Sequence, residues 1–246
     1  MAQKLISINS AQNRIFLQGD LILSRYPPVK DGELMKGLSK MIEIKAIRAH
    51  EQKSEPWSGG RTKELSIFPT DGDYSKGDFI WRVSTAKVEQ YESTFTTLNE
   101  VNRKLMVLEG SMHVFHAGMP ELELKPFSLV DEFSGEVPTK SFGLCSDFNL
   151  LMKGNISGDM GYVPQDKESL KILQQKENTE MWEGFYCLTP TMTVSVEKRV
   201  ISLKQGDFLL FFSQDADKKN DCTKLEICEH FNCISLARVT IERRKP

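Results

Sequence analysis

Short alternating runs of apolar residues are the feature that most limits what this chain can fold into. Stretches rich in Ile, Val, Phe, Thr and Leu alternate with polar residues and end at clusters of Gly, Pro, Asp and Asn. This is the pattern of half-buried β-strands. It predicts strands at residues 14–24, 41–48, 63–68, 79–88, 104–115, 191–196, 207–212 and 234–243. Many short strands separated by turns are typical of a β-sandwich or barrel.

Helical patterns are scarce in comparison. No apolar stripe of period 3.6 extends over a long stretch, which excludes a helical bundle. We expect two short helices, at residues 31–40 and 166–175. The fold class is therefore all-β with few short helices.

Two segments share a strand-turn-strand pattern that indicates an internal duplication. The first is residues 103–114, with a Glu-Gly turn; the second is residues 182–196, which continues through residues 200–211 with a Gly206-Asp207 turn. Such turns let a strand reverse sharply. The pattern resembles the two jelly-roll halves of a double cupin. We predict a first half at residues 41–160 and a second at 161–246, packed as one unit, after an N-terminal extension of extra strands and a linker at residues 1–40.

The charge of the chain excludes two classes of partner. The net charge is −2, and 32 basic and 34 acidic residues are dispersed along the 246 residues. No strong field exists to attract nucleic acid or anionic lipid. The first residues lack the apolar run of a signal peptide, and no run of about 18 apolar residues is present. We expect a cytoplasmic protein that binds neither nucleic acid nor membrane.

The five cysteines favour free thiols. They contain no Cys-x-x-Cys pair, and an odd count in a reducing compartment argues against a disulfide framework. Cys222, Cys228, His230 and Cys233 are the right residue types for zinc. Their separations of six, two and three do not match paired zinc ligands, so we interpret these cysteines as structural.

Several motifs in register carry a family resemblance. They are Pro56-Trp57-Ser58-Gly59-Gly60, Trp81-Arg82-Val83-Ser84-Thr85-Ala86, Ser93-Thr94-Phe95-Thr96, Leu108-Glu109-Gly110 and Asp147-Phe148-Asn149. In this order the chain resembles the HutD/Ves family of double cupins (RmlC-like fold) over about residues 41–245. The glycine stretch departs from the family pattern, which is often longer. Residues 1–40 lie outside the resemblance.

The histidines do not match the metal site of cupin enzymes. That site needs two histidines at positions i and i+2, which face the same side of a strand. His113 and His116 are spaced i and i+3 and should face opposite sides, while His50 and His230 are isolated. We therefore expect solvated histidines, no metal and no cofactor.

Polar residues recur at the period by which a barrel projects side chains into its lumen. The pairs are Thr62 with Glu64, Arg82 with Ser84, and Asp147 with Asn149. Buried polar groups need partners. Either Glu64 and Arg82 form a structural ion pair, or the groups surround a ligand.

In the second interpretation, Arg82, with Arg103 as a further candidate, binds a ligand carboxylate through its planar guanidinium. Trp57 or Trp81 would form an apolar wall, although a tryptophan in a strand is more often part of the core. Gly59 and Gly60 read as a turn and not as a phosphate-binding loop. The candidate ligand-binding residues are Trp57, Thr62, Glu64, Trp81, Arg82, Ser84, Arg103, Asp147 and Asn149.

Three functions stay open. The resemblance implies a metal-free protein that binds a small carboxylate of histidine utilisation, such as N-formylglutamate or urocanate, as a sensor or regulator; Ves-type members are linked instead to cold and stress. The second function is a metal-independent enzyme with Glu64 as general base. The third is an interaction module with an apolar lumen. A homodimer that protects open sheet edges is a further expectation.

Overall fold

The computed structural model of the protein describes residues 42–164, 167–174, 178–197, 199–213, 223–228 and 236–245. The predicted extension at residues 1–40, with its strand at 14–24 and its helix at 31–40, lies outside them. In the described part the chain is almost entirely β, with one 3-10 turn at Tyr74–Lys76. It contains no helix that is long and apolar enough to span a bilayer.

The strands follow one another closely along the chain. The N-terminal strands are β1 Ile42–Ile47, β2 Ser54–Trp57, β3 Gly60–Phe68, β4 Trp81–Val88, β5 Glu92–Thr94, β6 Val101–Gly110, β7 Met112–His116, β8 Leu122–Leu124, β9 Val130–Ser134, β10 Thr139–Phe142 and β11 Cys145–Lys153. The C-terminal strands are β12 Ile156–Val163, β13 Ser169–Ile172, β14 Thr179–Cys187, β15 Thr191–Val196, β16 Arg199–Lys204, β17 Phe208–Ser213, β18 Thr223–Ile227 and β19 Leu236–Arg244.

The sheets confirm the duplication expected from the sequence. The order β9-β6-β11-β4 in the six-stranded sheet matches β17-β14-β19-β12 in the five-stranded sheet. The two four-stranded sheets, β5-β10-β7-β8 and β13-β18-β15-β16, match in the same way. Strands β4–β11 and β12–β19 are therefore two copies of one jelly roll, and the predicted double cupin is confirmed as the fold. The predicted limits at residues 41–160 and 161–246 stay a prediction.

Each copy is a sandwich with its own apolar interior. Val107 of the six-stranded sheet packs with Met112 and Val114 of one four-stranded sheet. In the C-terminal copy, Phe185 and Phe211 pack with Leu225 of the other. Sheets that face each other across about 10 Å bury alternate residues of each strand in this way.

A third apolar layer joins the two copies. The outer faces of the six-stranded and five-stranded sheets meet through fully buried aromatic and aliphatic side chains. These are Trp81, Val83, Phe148 and Leu150 on one side and Trp182, Phe208, Val239 and Ile241 on the other. The two sandwiches are thus stacked sheet to sheet, and the N-terminal lumen lies on the far side of the six-stranded sheet from this interface.

Most predicted strands are confirmed, and one predicted element is wrong. Residues 191–196 match β15, and residues 41–48, 63–68, 79–88, 207–212 and 234–243 match described strands within a few residues. Residues 104–115 contain two strands, β6 and β7, divided at Ser111. The helix expected at residues 166–175 is a strand in its described part, β13, because pairing with β18 overrides the local preference.

The first described strand joins the sheet of the other copy. β1 is antiparallel to β17, with Ile42 opposite Ser213 and Ile47 opposite Phe208. It thereby forms the edge of the five-stranded sheet, whose other members all come from the C-terminal copy. β2 and β3 instead extend the six-stranded sheet beside β4.

Candidate ligand-binding site

Strand register places the polar residues in rows across the lumen face of the six-stranded sheet. Directly opposed residues of antiparallel strands share a face, and successive rows are about 7 Å apart. The arginine row is Arg82, Leu151 and Arg103; the middle row is Ser84, Asn149 and Leu105; the acidic row is Thr62, Ala86 and Asp147. The lumen therefore has cationic groups at one end and a carboxyl group at the other.

These rows line a cavity. Its volume is about 140 Å³, and it is open on one side. All nine residues of the three rows border it, together with Glu55, Pro56, Trp57, Tyr74, Phe95 and Thr96. The structure thus brings together seven of the nine sequence-predicted site residues, leaving Glu64 and Trp81 outside the lining.

Arg82 has a carboxylate partner of its own. Its Nε donates to Glu64 Oε2 at 2.8 Å, and its Nη1 donates to Ser84 Oγ at 3.2 Å. The guanidinium lies 4.2 Å from the centre of the Tyr74 ring. The ion pair expected as the structural alternative is therefore present, although Arg82 still borders the cavity.

Glu64 does not meet the requirement of a buried general base. Its side chain keeps 25% of its surface exposed and accepts a hydrogen bond from Arg82. A carboxylate in that setting is solvated and paired, so the apolar surroundings assumed for catalysis are missing. The burial in apolar surroundings on which the general-base hypothesis for Glu64 depends is therefore absent.

Arg103 is held by aromatic rings and a carbonyl. Its guanidinium carbon lies 5.1 Å from the Phe95 ring centre and 5.2 Å from that of Phe133, and Nη1 donates to Thr96 O at 3.0 Å. Burial lowers its pKa, but a guanidinium keeps its charge in proteins. No carboxylate in the described part of the chain lies within ion-pair distance of it. Arg103 thus presents an unpaired positive charge to the cavity.

Asp147 is the buried carboxyl group of the site, with 3% of its surface exposed. Its Oδ1 accepts hydrogen bonds from Asn149 Nδ2 at 2.5 Å and from the Ala86 amide at 3.2 Å. Burial raises its pKa to about 7, and these hydrogen bonds and the charge of Arg103 act against that rise. Burial therefore moves the titration of Asp147 from the acidic range towards neutral pH.

We expect Asp147→Asn to stabilise the protein at pH 8 and to change its stability little at pH 4. Burial gives Asp147 a higher pKa in the folded protein than in the unfolded chain, so the folded state holds the proton more tightly. The wild type then loses up to about 4 kcal/mol as the pH rises from about 4 to about 7. Urea denaturation at pH 4, 6 and 8 measures the difference. Exposed Asp159→Asn is the control, and a gain from Asp147→Asn that is equal at pH 4 and pH 8 would refute the assignment.

His116 corrects the expectation of solvated histidines. It is 4% exposed; Nδ1 lies 2.8 Å from Thr139 Oγ1 and Nε2 lies 3.0 Å from Asp131 Oδ2. Thr139 donates its own proton to Val137 O, so its oxygen accepts from His116 Nδ1. Burial raises the pKa of Asp131, and the adjacent His116 lowers it.

The two histidines of this strand face opposite sides, as their spacing predicts. His113 is exposed and contacts Glu121, whereas His116 is buried with both ring nitrogens engaged. The pair cannot serve one metal ion. Among the described residues, no group of three or more His, Cys, Asp or Glu side chains is arranged to hold a metal, so the donor set of a cupin metal centre is not met by this part of the chain.

In the described ranges Cys145 and Cys187 are buried free thiols, and Cys228 is exposed. Burial raises the pKa of both Cys145 and Cys187, which makes them unreactive. Cys222, His230 and Cys233 lie outside the described residues, so the zinc alternative is not addressed by the structure.

The two tryptophans considered for the pocket wall lie in different places. Trp57 borders the cavity, and its ring lies on Gly59, where a Cβ would come within 2.2 Å of it. Gly59 belongs to the turn between β2 and β3, as expected. Trp81 is 1% exposed and packs 5.6 Å from the Trp182 ring in the layer between the two copies. Trp81 is therefore a core residue, because neighbours on a strand face opposite sides and Arg82 faces the lumen.

Sequence reasoning missed Tyr74, Phe95 and the His116–Asp131 pair. Phe95 stands within a motif of the family resemblance, in Ser93-Thr94-Phe95-Thr96, and that position was the available signal. Tyr74 comes from a 3-10 turn between β3 and β4, and Asp131 reaches His116 across the sandwich. No local sequence pattern predicts either contact.

The C-terminal lumen contains a buried ion pair of its own. Glu183, 2% exposed, accepts from Arg238 Nε at 2.7 Å and from the Leu173 amide at 2.7 Å. Burial raises the pKa of Glu183, and Arg238 lowers it. The residues around this pair are apolar. In the C-terminal copy the buried carboxylate thus has an arginine of the same chain, unlike Asp147 in the N-terminal copy.

Comparisons with known proteins agree with this architecture. The sequence profile of the HutD family matches residues 49–228. HutD from Pseudomonas fluorescens SBW25, described in a formate condition, is 18% identical with a TM-score of 0.61 and covers 82% of this chain and 100% of that chain. A conserved protein of unknown function from Pseudomonas aeruginosa PAO1 is 21% identical with a TM-score of 0.62, covering 83% and 100%.

A more distant structure shares the fold as well. The bacterial pirin YhhW from Escherichia coli, in complex with nickel(II), is 10% identical with a TM-score of 0.52 and covers 82% of this chain and 100% of that chain. A search of curated proteins found no significant match. At these identities the structural likeness shows the cupin fold alone.

Proposed function

Because the chain belongs to the HutD family of cupin-fold proteins, we propose that it binds a small carboxylate in its N-terminal lumen and acts as a sensor or regulator. The observation that carries the proposal is Arg103, which borders the cavity without a carboxylate partner in the described residues. Arg103 is half-buried, and a charge withdrawn from water without a partner is costly unless a ligand supplies one.

Arg103 is a better anchor for the ligand than Arg82. Arg82 already pairs with Glu64, whereas Nε and Nη2 of Arg103 make no hydrogen bond within the described part of the chain. A guanidinium binds a carboxylate through two parallel N–H groups. The rings of Phe95 and Phe133 restrict the guanidinium and so reduce the entropy lost on binding.

The size of the cavity limits the ligand. A volume of about 140 Å³ is close to that of a cavity that holds benzene. Carboxylates of about six non-hydrogen atoms fit inside, and longer ones must extend through the open side. Among ligands of histidine utilisation, urocanate and N-formylglutamate would extend in this way.

The interaction-module hypothesis is the less favoured one. It requires a lumen packed only with apolar side chains, and this lumen contains a cavity bordered by Arg82, Arg103, Asp147 and Asn149. A concave cavity in which apolar side chains are joined by a few converging polar groups is the usual form of a small-molecule site.

We expect a carboxylate to raise the melting temperature of the wild type and to have no effect on Arg103→Ala. The panel is formate, acetate, urocanate, glutamate, histidine and N-formylglutamate. At 100 times the dissociation constant, binding adds about 2.7 kcal/mol to the free energy of unfolding. Losing the bidentate contact should weaken binding at least about 30-fold, since truncating a charged hydrogen-bond partner costs about 2–5 kcal/mol.

The control is Arg61→Ala, which removes an arginine from the exposed face of β3. It should keep the full ligand effect. A wild-type protein that responds to no carboxylate, or an Arg103→Ala protein that responds as the wild type does, would contradict the proposal.

An enzyme remains the second candidate, with Asp147 in place of Glu64. Asp147 combines burial with a pKa of about 7, the value that suits a general base near neutrality. Recovery of the bound carboxylate unchanged after prolonged incubation would support the sensor, whereas turnover lost in Asp147→Asn would support the enzyme.

A further inference from the structure

We propose that the N-terminal cavity takes a zwitterion, an amine-bearing carboxylate whose carboxylate meets Arg103 and whose ammonium meets Asp147 and Asn149. The inference deepens the proposed carboxylate function and rests on it. It concerns the acidic row, which a simple carboxylate leaves without a partner.

The first support is the set of oxygen atoms at the acidic end. Oδ1 of Asp147 already accepts two hydrogen bonds, whereas Oδ2 accepts none from the described residues. Asn149 donates its Nδ2 to Asp147, which leaves its Oδ1 as an acceptor. Because both side chains border the cavity, this end offers two acceptors, and a group that donates several hydrogen bonds, such as an ammonium, suits them.

The second support is the balance of charge in the lumen. Around Asp147, Arg82 of β4 is neutralised by Glu64, and Asp131 of β9 pairs with His116. Arg103 of β6 makes no ion pair with any residue in the described ranges. Cys145 of β11 is an uncharged thiol, since burial raises its pKa. One positive and one negative group are thus left over. A lone anion at Arg103 would add a second negative charge beside a buried carboxyl group, whereas a zwitterion balances both.

The third support is the contrast between the two copies of the fold. In the C-terminal lumen the buried Glu183 is paired with Arg238 of the same chain. In the N-terminal lumen the described residues supply Asp147 with hydrogen bonds but no ion pair. In the N-terminal lumen, where the cavity lies, the buried carboxyl group therefore has no cationic partner among the described residues, which points to a ligand as its source.

Calorimetric titration of the full chain at pH 7.5 with matched pairs tests the proposal. The pairs are acetate and glycine, propionate and β-alanine, and butyrate and 4-aminobutyrate. The two members of a pair differ only in the amine, and the three pairs differ in chain length. The arginine row and the acidic row are about 14 Å apart at the backbone, two steps of about 7 Å, and the side chains of Arg103 and Asp147 both border the cavity between them, so the series tests which ligand length reaches both ends. We expect at least one amine-bearing member to bind ten or more times tighter than its partner.

Asp147→Asn should abolish this preference while simple carboxylates bind as well as before or better. Asp159→Asn, which removes an exposed charge on β12, should preserve the preference. Equal affinity within every pair, or a preference that survives in Asp147→Asn, would overturn the inference alone. Acetate binding that strengthens from pH 8 to pH 6 only in the wild type would overturn it too, since Asp147 would then take up a proton instead. No binding by any of the six would overturn the inference, and the proposed function would fall with it only if the wild type also responds to none of the carboxylates in the melting-temperature panel.

Discussion

Phe148→Ala should lower the free energy of unfolding by about 3–5 kcal/mol, the usual cost of removing a fully buried phenylalanine. Phe148 has no exposed surface and lies where the two copies of the fold meet. Its ring stacks 6.0 Å from that of Tyr186, on the opposite sheet. The truncation would leave a void in the layer that holds the sandwiches together, so one cooperative transition should shift in a urea titration.

Phe115→Ala is the matched control. Phe115 lies on a strand of the outer sheet with 40% of its surface exposed and contacts Phe142. Its removal should cost less than about 1 kcal/mol. A loss below about 2 kcal/mol for Phe148→Ala, or an unchanged midpoint, would show that the layer between the copies does not stabilise the protein as described.

Arg238→Met should cost about 3–5 kcal/mol at pH 8, because it leaves a carboxylate buried without its partner. Glu183 is 2% exposed, and Arg238 lowers its pKa against the effect of burial. Without the arginine the pKa of Glu183 rises further, so the folded state takes up a proton at low pH. The loss of stability should therefore be large at pH 8 and much smaller near pH 4.5.

The double variant Glu183→Gln with Arg238→Met separates charge from packing. A glutamine amide oxygen can still accept the hydrogen bond from the Leu173 amide and carries no charge. We expect the double variant to recover most of the stability lost at pH 8 and to show little dependence on pH. A single variant whose loss is equal at both pH values would contradict the role of Glu183.

Period-two spacing predicted most of the site because a barrel has only two faces. Thr62, Arg82, Ser84, Asp147 and Asn149 follow that rule and border the cavity, whereas Glu64 follows it too but pairs with Arg82 outside the lining. The same rule excludes Trp81 from the lumen, because Trp81 is the neighbour of Arg82 on the strand and adjacent residues face opposite sides. Placing both in one pocket contradicts the spacing, and the structure resolves the conflict in favour of Arg82.

Pairing between distant strands could be predicted only as an alternative, as for Glu64 with Arg82. Arg82 and Arg103 look equivalent in the sequence, and only the approach of Glu64 on β3 neutralises one of them. The partners of His116 could not be predicted either, since Asp131 and Thr139 lie on other strands. The strand at residues 169–172 differs from the predicted helix for a related reason: its pairing with β18 leaves no signal in the local sequence.

The exchange of β1 into the sheet of the C-terminal copy has a consequence for synthesis on the ribosome. Strand β1 (Ile42–Ile47) leaves the ribosome long before its partner β17 (Phe208–Ser213). The edge of β1 that pairs with β17 therefore has no partner strand while most of the chain is synthesised. Unpaired strand edges are prone to aggregate. In the folded protein the same pairing provides a second link between the N-terminal part of the chain and the C-terminal copy. A protease that cuts between β11 and β12 severs only one of the connections between the copies, and the ladder of β1 against β17 still fastens them together.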